Sequence, residues 1–92
     1  MIVSFKHKGL ERFFKTGNKS GIQTAHAPKL ARILARLNSS KTVNDMNIPG
    51  WDLHPLQGNL QLHWSVKVNG NWRVTFIFES GHAKIIDYQD YH

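Results

Sequence analysis

The spacing of apolar residues changes once along this chain, and this change constrains the fold more than any other feature. Leu30, Ile33, Leu34 and Leu37 follow the i, i+3, i+4, i+7 spacing of one helix face, and Pro28 precedes them at a position that a first helical turn tolerates. We expect this stripe to lie in the core. Later in the chain, apolar residues recur at every second position, which is the period of a half-buried strand. The sequence therefore predicts helices followed by a sheet.

The strand-period region contains two alternating runs and a shorter third one. Eight apolar residues of the two runs occupy even-numbered positions, and Ile77 is the one apolar residue between them at an odd-numbered position: Leu62, Trp64, Val66, Val68, Trp72, Val74, Phe76 and Phe78 are the even-numbered set. Asn69-Gly70 separates these runs, and this dipeptide is typical of hairpin turns. The third run, His82 to Tyr88, follows a second turn at Ser80-Gly81. These features predict a three-stranded antiparallel meander.

Two shorter patterns precede the leucine stripe. The segment 2–5 is β-prone, and apolar residues between positions 10 and 14 recur at helical spacing before Gly17, a common helix terminator. The predicted order is thus β-α-α-β-β-β. A chain of 92 residues suffices for one modest core, so we expect a single domain over residues 1–92. The fold class is α+β, with two helices packed in a second layer on one face of a mainly antiparallel sheet.

The turn at Asn69-Gly70 decides which side chains share the sheet face that the helices leave open. A two-residue turn would mix apolar with polar neighbours, whereas a three-residue loop with Gly70 left-handed pairs even positions with even ones. We expect the second register. It groups five residues on the open face: His63, Ser65, Lys67, Arg73 and Thr75.

The turn at Ser80-Gly81 sets the register of the third strand. If this turn has two residues, Arg73 lies opposite Tyr88, and alternation then brings Asp90 and His92 onto the face of Arg73. The same register turns Asp87 toward the core, where a carboxylate is unfavourable, unless a bulge or a different turn inverts the assignment.

The charge of the chain is unevenly distributed. Twelve Lys and Arg against six acids give a net charge of +6. Residues 1–46 carry nine basic and two acidic side chains, and residues 47–92 have a net charge of −1. This surplus favours a polyanionic partner such as nucleic acid. Lys29, Arg32 and Arg36 lie on one face of the helix after Pro28, where they can contact phosphates or only water.

The residues that are absent from the sequence also narrow the possible functions. There is no cysteine, no signal-peptide core and no apolar run long enough for a membrane span, so we expect a cytoplasmic protein with no membrane contact. No serine elbow, Gly-rich phosphate loop, HExxH motif or carboxylate cluster occurs. We therefore expect neither a metal nor another cofactor.

Four residues on or near the predicted open face suit phosphodiester chemistry. A histidine exchanges protons near neutral pH, a carboxylate can orient an imidazole, and an arginine can bind a phosphate with two N–H groups. The candidates are His54, Arg73, Asp90 and His92. Each also has a structural alternative, because a loop histidine often only completes a hydrogen bond and a strand arginine is usually a solvated cross-strand partner.

Four segments of the chain resemble the HigB branch of the RelE/ParE bacterial toxin superfamily. They are SFKHKGLERFF (4–14), LHPLQGN (53–59), WSVKVNGNWRVTFIF (64–78) and DYQDYH (87–92). The resemblance covers nearly the whole chain, and NWRVTF together with the final DYH is its most specific part. It implies the RelE-like fold and a toxin of a type II toxin-antitoxin system. Such a toxin is a ribosome-dependent endoribonuclease (mRNA interferase) that cleaves mRNA in the A site by metal-independent attack of the RNA 2′-hydroxyl and so inhibits translation.

The resemblance also implies roles for individual residues. It assigns a catalytic set to this chain: His54, Asp90, Tyr91 and His92, with Arg73 as the phosphate-binding cation. Contacts to RNA or the ribosome are expected from five further residues: Lys29, Arg32, Arg36, Gln57 and Lys67. Gln57 departs from the family pattern, because relatives tend to carry a lysine there. Either Lys67 supplies the second positive charge or cleavage is weaker.

The partners follow from the same resemblance. They are a HigA-type helix-turn-helix antitoxin, the ribosome and mRNA, with operator DNA reached only through the antitoxin complex and the toxin alone a monomer. Two alternatives stay open: a non-enzymatic ParE-like toxin that inhibits gyrase, and a basic nucleic-acid-binding module. The joint presence of His54, Arg73, Asp90 and His92 favours the enzyme, because a binding module does not need this combination.

Overall fold

The protein consists of two helices followed by an antiparallel sheet. A computed structural model describes residues 1–58 and 62–91, and in this part of the chain the elements are α1 (Lys8–Thr16), α2 (Ala27–Ser39), β1 (His54–Pro55), β2 (His63–Asn69), β3 (Trp72–Glu79) and β4 (His82–Asp90). The strand order is β1-β2-β3-β4. Short 3-10 helices cover Thr24–His26 and Val43–Met46. The predicted α+β fold is confirmed. Neither described α-helix is both long and apolar enough to cross a membrane.

The end of α1 and the start of α2 lie where the sequence predicts. His7 caps α1, since its Nδ1 accepts a hydrogen bond from the Leu10 backbone N–H at 2.9 Å. Gly17 ends α1 in the left-handed conformation (φ 81°), which a glycine adopts without steric cost. Pro28 lies in the first turn of α2. The leucine stripe of α2 is buried, as predicted.

The core lies between the helices and the even-numbered face of the sheet. Its buried cluster joins α1 and α2 to β2, β3 and β4: Leu10, Leu30, Ile33, Leu34, Leu37, Met46, Trp51, Val66, Val68, Val74, Phe76, Ala83, Ile86 and Tyr88. Because the strands alternate, the odd-numbered residues of β2 and β3 form the opposite face. This opposite face is called the open face below.

The β-prone segment at residues 2–5 does not form the regular strand that we expected. It makes two isolated parallel bridges, Ile2 with Ala83 and Phe5 with Ile86. Between them, Ser4 accepts hydrogen bonds from β4: its hydroxyl from the Ile85 backbone N–H at 2.8 Å and its carbonyl from the Ile86 N–H at 3.2 Å. The irregular backbone of β4 at this point prevents a continuous ladder.

The register of β2 and β3 is the one that we expected. Trp64 pairs with Phe76, and Val66 pairs with Val74, so even positions face even positions. A register shift between Lys67 and Asn69 and a left-handed Gly70 (φ 56°) produce this pairing. The irregularity in this hairpin keeps the apolar residues of both strands on one face.

The register of β3 and β4 agrees with our expectation only near the turn. Glu79 pairs with His82 as predicted, but the register shifts between Thr75 and Ile77. The shift coincides with Ile85, whose φ is 56°, and the extra residue of this bulge reverses the face of everything after it. The pairing beyond the bulge is Val74 with Tyr88, Arg73 with Gln89 and Trp72 with Asp90.

The predicted opposition of Arg73 and Tyr88 is therefore wrong. Tyr88 and Asp90 share the core-side face of their partners in β3, and Asp87 lies on the open face instead of facing the core. This position resolves the difficulty that the predicted register created for the Asp87 carboxylate. His92, which we expected beside Arg73, lies outside the described residues.

Candidate active site

Polar residues of all four strands form two adjacent rows on the open face. The pairing aligns one row across the sheet: His54, Ser65, Thr75 and Asp87. The neighbouring row contains Lys67, Arg73 and Gln89. Ser65 and Thr75 are buried, because longer side chains lie over them. Arg73 Nη1 donates to Ser65 Oγ at 3.4 Å, and Gln89 Nε2 donates to Thr75 Oγ1 at 3.0 Å.

Arg73 is held in a fixed position on this face. Its Nη2 donates to Asp52 Oδ2 at 3.0 Å, while Nη1 reaches Ser65. The side chain is 18% exposed, so the guanidinium is largely enclosed but still accessible. The hydrogen bond from Arg73 lowers the pKa of Asp52 below its ordinary value, and the charges of Arg73, His54 and Lys67 act in the same direction. Asp52 is therefore a carboxylate at neutral pH, and it restrains the guanidinium plane.

The ring of His54 is oriented by a backbone group. Its Nδ1 lies 2.9 Å from the carbonyl oxygen of Asp52. A carbonyl oxygen can only accept a hydrogen bond, so Nδ1 carries the proton and Nε2 is the acceptor nitrogen of the neutral ring. The Asp52 carboxylate is also near, with Oδ2 at 3.8 Å from Nδ1, and the side chain is 39% exposed. His54 thus presents an available lone pair at an accessible surface.

Positive charge continues from this face to α2. Lys67 pairs with Arg73, and its backbone N–H donates to the Trp51 carbonyl at 2.6 Å. Lys29 Nζ lies 5.9 Å from the centre of the Trp51 ring. Partial burial lowers the pKa of Lys29, and the nearby charges of Arg32 and Lys67 lower it further. We call the four cations the basic path: Arg32, Lys29, Lys67 and Arg73.

Arg36 and Gln57, the other two residues expected to contact RNA or the ribosome, lie outside the basic path. Arg36 Nε donates to the Asp45 carbonyl at 2.6 Å, so this arginine braces the 3-10 helix after α2. With Arg32 it lines an open cleft of about 410 Å³, whose apolar wall includes Ile48 and Trp51. Gln57 follows β1 and is exposed.

The C-terminal candidates are divided between the two faces. Asp90 pairs with Trp72 and lines a separate cleft of about 390 Å³ with His7, Gln23 and Tyr88. The structure thus brings Arg73 and His54 together but not Asp90. The Tyr91 backbone N–H donates to the Asn71 carbonyl at 2.7 Å, which extends the pairing of β4 by one residue. Since strand side chains alternate, Tyr91 follows Gln89 onto the open face.

Comparison with known proteins identifies the family. Residues 3–92 match a family model described as the RelE-like toxin of the type II toxin-antitoxin system HigB. The chain belongs to this HigB-like toxin family. It is also 39% identical over 92 residues to a Proteus vulgaris protein named endoribonuclease HigB, and the alignment covers 100% of both chains. The resemblance found in the sequence is confirmed, and membership of a type II system implies a cognate antitoxin.

Sequence reasoning missed two contributors to the candidate site of this HigB-like toxin. Asp52 restrains both Arg73 and His54, and Gln89 covers Thr75, which the sequence had placed on this face. The signal for Asp52 was weak: an acid two residues before His54 in a segment that predicts only a connection. Gln89 was missed because its face depends on the bulge at Ile85.

The side chains on the open face are of the types that proton transfer and phosphate binding require. Within residues 1–58 and 62–91, no three His, Asp or Glu side chains converge as metal ligands would. The open face instead offers an imidazole lone pair at His54 and a restrained guanidinium at Arg73, with an ammonium group beside them at Lys67. These groups can activate a hydroxyl and bind a phosphate.

Proposed function

We propose that this HigB-like toxin is a ribosome-dependent endoribonuclease that cleaves mRNA in the ribosomal A site by metal-independent attack of a 2′-hydroxyl. One observation carries the proposal: the His54 ring, with Nε2 available, lies beside Arg73 on an exposed sheet face. The name of the Proteus vulgaris relative, endoribonuclease HigB, supports the same activity.

The proposed reaction begins with His54. Its Nε2 takes the proton of a ribose 2′-hydroxyl, and the oxygen attacks the adjacent phosphorus. The bond from phosphorus to the 5′-oxygen of the next nucleotide then breaks. The products are a 2′,3′-cyclic phosphate and a 5′-hydroxyl, and an acid of the site gives the leaving oxygen its proton.

Arg73 is the group that stabilises the charge on the phosphorane. A guanidinium presents donors in a planar fork that matches two phosphate oxygens, and Asp52 restrains this plane before substrate binds. Lys67, the pairing neighbour of Arg73, adds a second positive charge, which compensates for Gln57 in place of the family's lysine.

The resemblance places His54 and His92 in the catalytic set without deciding which is the acid; with His54 as the base, we assign the acid to His92. Tyr91, which follows Gln89 onto the open face, would brace the chain there or stack on a base. His92, which lies outside the described residues, is the proposed proton donor. Asp90, which lies on the core-side face, acts by holding this terminus rather than by contacting the phosphate.

The ribosome is the proposed source of substrate alignment. A single exposed sheet face contacts few nucleotides, and catalysis requires the 2′-oxygen, the phosphorus and the leaving oxygen to be held in line. The basic path extends from Arg73 to α2 and suits contacts to the phosphates of ribosomal RNA. The toxin would act in the cytoplasm as a monomer. A HigA-type helix-turn-helix antitoxin would inhibit it and link it indirectly to operator DNA.

Cleavage of a defined mRNA on translating ribosomes tests the proposal. Wild type should create new 5′-hydroxyl ends in the A-site codon, and a 2′-O-methyl group at the attacked nucleotide should block them. His54→Ala should lower the single-turnover rate by about 10²–10⁴-fold, since it removes the base. His82→Ala is the matched control, because His82 is exposed at the opposite end of β4. If wild type arrests growth while the message stays intact, a ParE-like target replaces the nuclease proposal.

A further inference from the structure

We propose that Asp52 is a positioning residue of this site, holding Arg73 with its carboxylate and the His54 ring with its backbone carbonyl. This inference rests on the proposed function, because it assigns Asp52 a part in the same reaction. It goes beyond that function, since neither the sequence motifs nor the proposed chemistry requires an acid at position 52. Two contacts of one residue, made by different chemical groups, carry it.

The side-chain contact fixes the orientation of the guanidinium. Asp52 lies two residues before β1, and its carboxylate accepts a hydrogen bond from Arg73 Nη2 at 3.0 Å. Ser65 Oγ accepts from the other terminal nitrogen at 3.4 Å. A guanidinium has five N–H donors, so two restrained contacts leave donors for a phosphate. The plane that receives the phosphate is therefore set before RNA arrives.

The backbone contact fixes the histidine tautomer. Asp52 has a φ of 51°, in the left-handed region, and this conformation directs its carbonyl at His54 Nδ1, 2.9 Å away. Among residues with a side chain, aspartate and asparagine adopt this region most readily. Aspartate therefore meets two requirements at once: the left-handed backbone for His54 and a carboxylate for Arg73. The side chain is 58% exposed, so burial does not explain its presence.

The charge of Asp52 gives the proposal a distinctive kinetic signature. A carboxylate 3.0 Å from Arg73 Nη2 partly offsets the positive charge that attracts the phosphate. Removing the charge should strengthen RNA binding, while loss of orientation should slow the chemical step. A residue that only stabilised the loop would not change KM and kcat in this combination.

Three variants at position 52 separate the two contacts. Asp52→Asn keeps the side-chain shape and a residue that adopts the left-handed conformation, but it removes the negative charge. Asp52→Gly keeps the left-handed backbone and removes the whole side chain. Asp52→Ala removes the carboxylate and also disfavours the left-handed backbone. Asp52→Asn should lower kcat by about 10-fold to 100-fold, a range typical of residues that orient a functional group. KM should fall at least about twofold, because the phosphate then meets a guanidinium whose positive charge no carboxylate offsets. Asp52→Gly should lower kcat at least as much.

The control for net charge is Glu79→Gln. Glu79 is exposed and lies six residues along β3 from Arg73, about 20 Å away at strand rise. Glu79→Gln removes the same formal charge as Asp52→Asn. Because this charge lies far from Arg73, kcat and KM of Glu79→Gln should stay within about twofold of wild type. An equal effect of both variants would show that overall charge explains the result and would overturn the inference.

Nuclear magnetic resonance of the free protein tests the positioning without RNA. The ¹⁵N shifts of the His54 ring should show the Nδ1–H tautomer in wild type, Asp52→Asn and Asp52→Gly, and mixed tautomers in Asp52→Ala. The Arg73 side-chain signals should become mobile in Asp52→Asn and Asp52→Gly. If wild type cleaves RNA and Asp52→Asn keeps both kinetic constants and a rigid Arg73, the inference fails and the proposed function stands. If wild type does not cleave RNA but these signals behave as expected, the nuclease proposal fails and the positioning stands.

Discussion

Replacing Tyr88 with phenylalanine should lower stability without lowering RNA cleavage. The bulge in β4 places Tyr88 in the core, where it is 5% exposed. Its hydroxyl lies 2.6 Å from His26 Nδ1 and accepts a weaker hydrogen bond from the Gln23 backbone N–H at 3.4 Å. The register expected from the turn alone would put the same hydroxyl beside Arg73. Tyr88→Phe therefore distinguishes the two registers by its effect on two different properties.

The expected loss of stability comes from the His26 ring, which Tyr88→Phe leaves without its hydrogen-bond partner. Phenylalanine keeps the ring, its packing against Trp72 at a centroid distance of 4.6 Å and its volume, so no large cavity forms. The His26 ring, 8% exposed, loses its hydrogen-bond partner. A buried polar group left unsatisfied costs about 1–3 kcal/mol. With about 2 kcal/mol lost, a domain of this size should melt about 8–16 °C lower.

Urea unfolding and A-site cleavage, both at 25 °C, measure the two effects. Tyr91→Phe is the matched control for the unfolding measurement alone, because Tyr91 is only half-buried and the variant should stay within about 0.5 kcal/mol of wild type. A loss of less than about 0.5 kcal/mol in Tyr88→Phe would refute the reasoning about the buried pair. A fall in cleavage with unchanged stability would place Tyr88 at the site and refute the bulged register.

Further predictions concern pH and close packing. Burial raises the pKa of Tyr88 above its ordinary value of 10.0. The contribution of the neutral Tyr88 to stability is therefore complete below pH 10.0 and is lost as the pH rises through the raised, folded-state pKa. Urea titrations above pH 10.0 should show a steeper loss of stability in wild type than in Tyr88→Phe. Backbone N–H groups of residues 41–42 lower the pKa of Asp45, so its contribution is present above 3.8 and lost as pH falls through the lowered value. Asp45→Asn should reduce this acid dependence in the same titration. Gly9→Ala should destabilise by about 1–3 kcal/mol in urea although alanine favours helices, because the new Cβ would lie 2.5 Å from the Gly21 carbonyl oxygen; a gain in stability would contradict the close contact.

The sequence predicts those parts of the fold that local patterns specify. The α2 stripe and the C-terminal glycine of α1 are short-range signals, and the structure follows both. The register of β2 and β3 could be chosen because only one pairing keeps the apolar residues of both strands on one face. The turn at Ser80-Gly81 was likewise local, and its first pair, Glu79 with His82, is correct.

The bulge at Ile85 could not be predicted in this way. An isoleucine with a φ of 56° is disfavoured by its own branched side chain, so no local preference indicates it. The Ser4 hydroxyl and carbonyl stabilise the bulge, and Ser4 lies 81 residues away in the chain. Every face assignment after Ile85 depends on this distant contact, and the expected placement of Asp90 beside Arg73 failed for that reason.

Part of the site was predictable for a different reason. His54 and Arg73 could be chosen by their chemistry and by the family resemblance, whereas the role of Asp52 depends on backbone geometry in an irregular segment. A left-handed aspartate beside β1 has no sequence signature that separates it from an ordinary loop acid. Positioning residues of this kind emerge only when the backbone direction is known.

The contact between the N-terminal segment and β4 delays the completion of the fold during synthesis. The Met1 ammonium group donates to the Gly81 carbonyl at 2.7 Å across a sequence separation of 80 residues. At elongation rates of about 5–20 residues per second, the first residues wait about 4–16 s for their partners. β4 also supplies Asp87 and Gln89 to the open face. A growing chain therefore carries His54 and Arg73 before β4 has been added to the sheet that holds them.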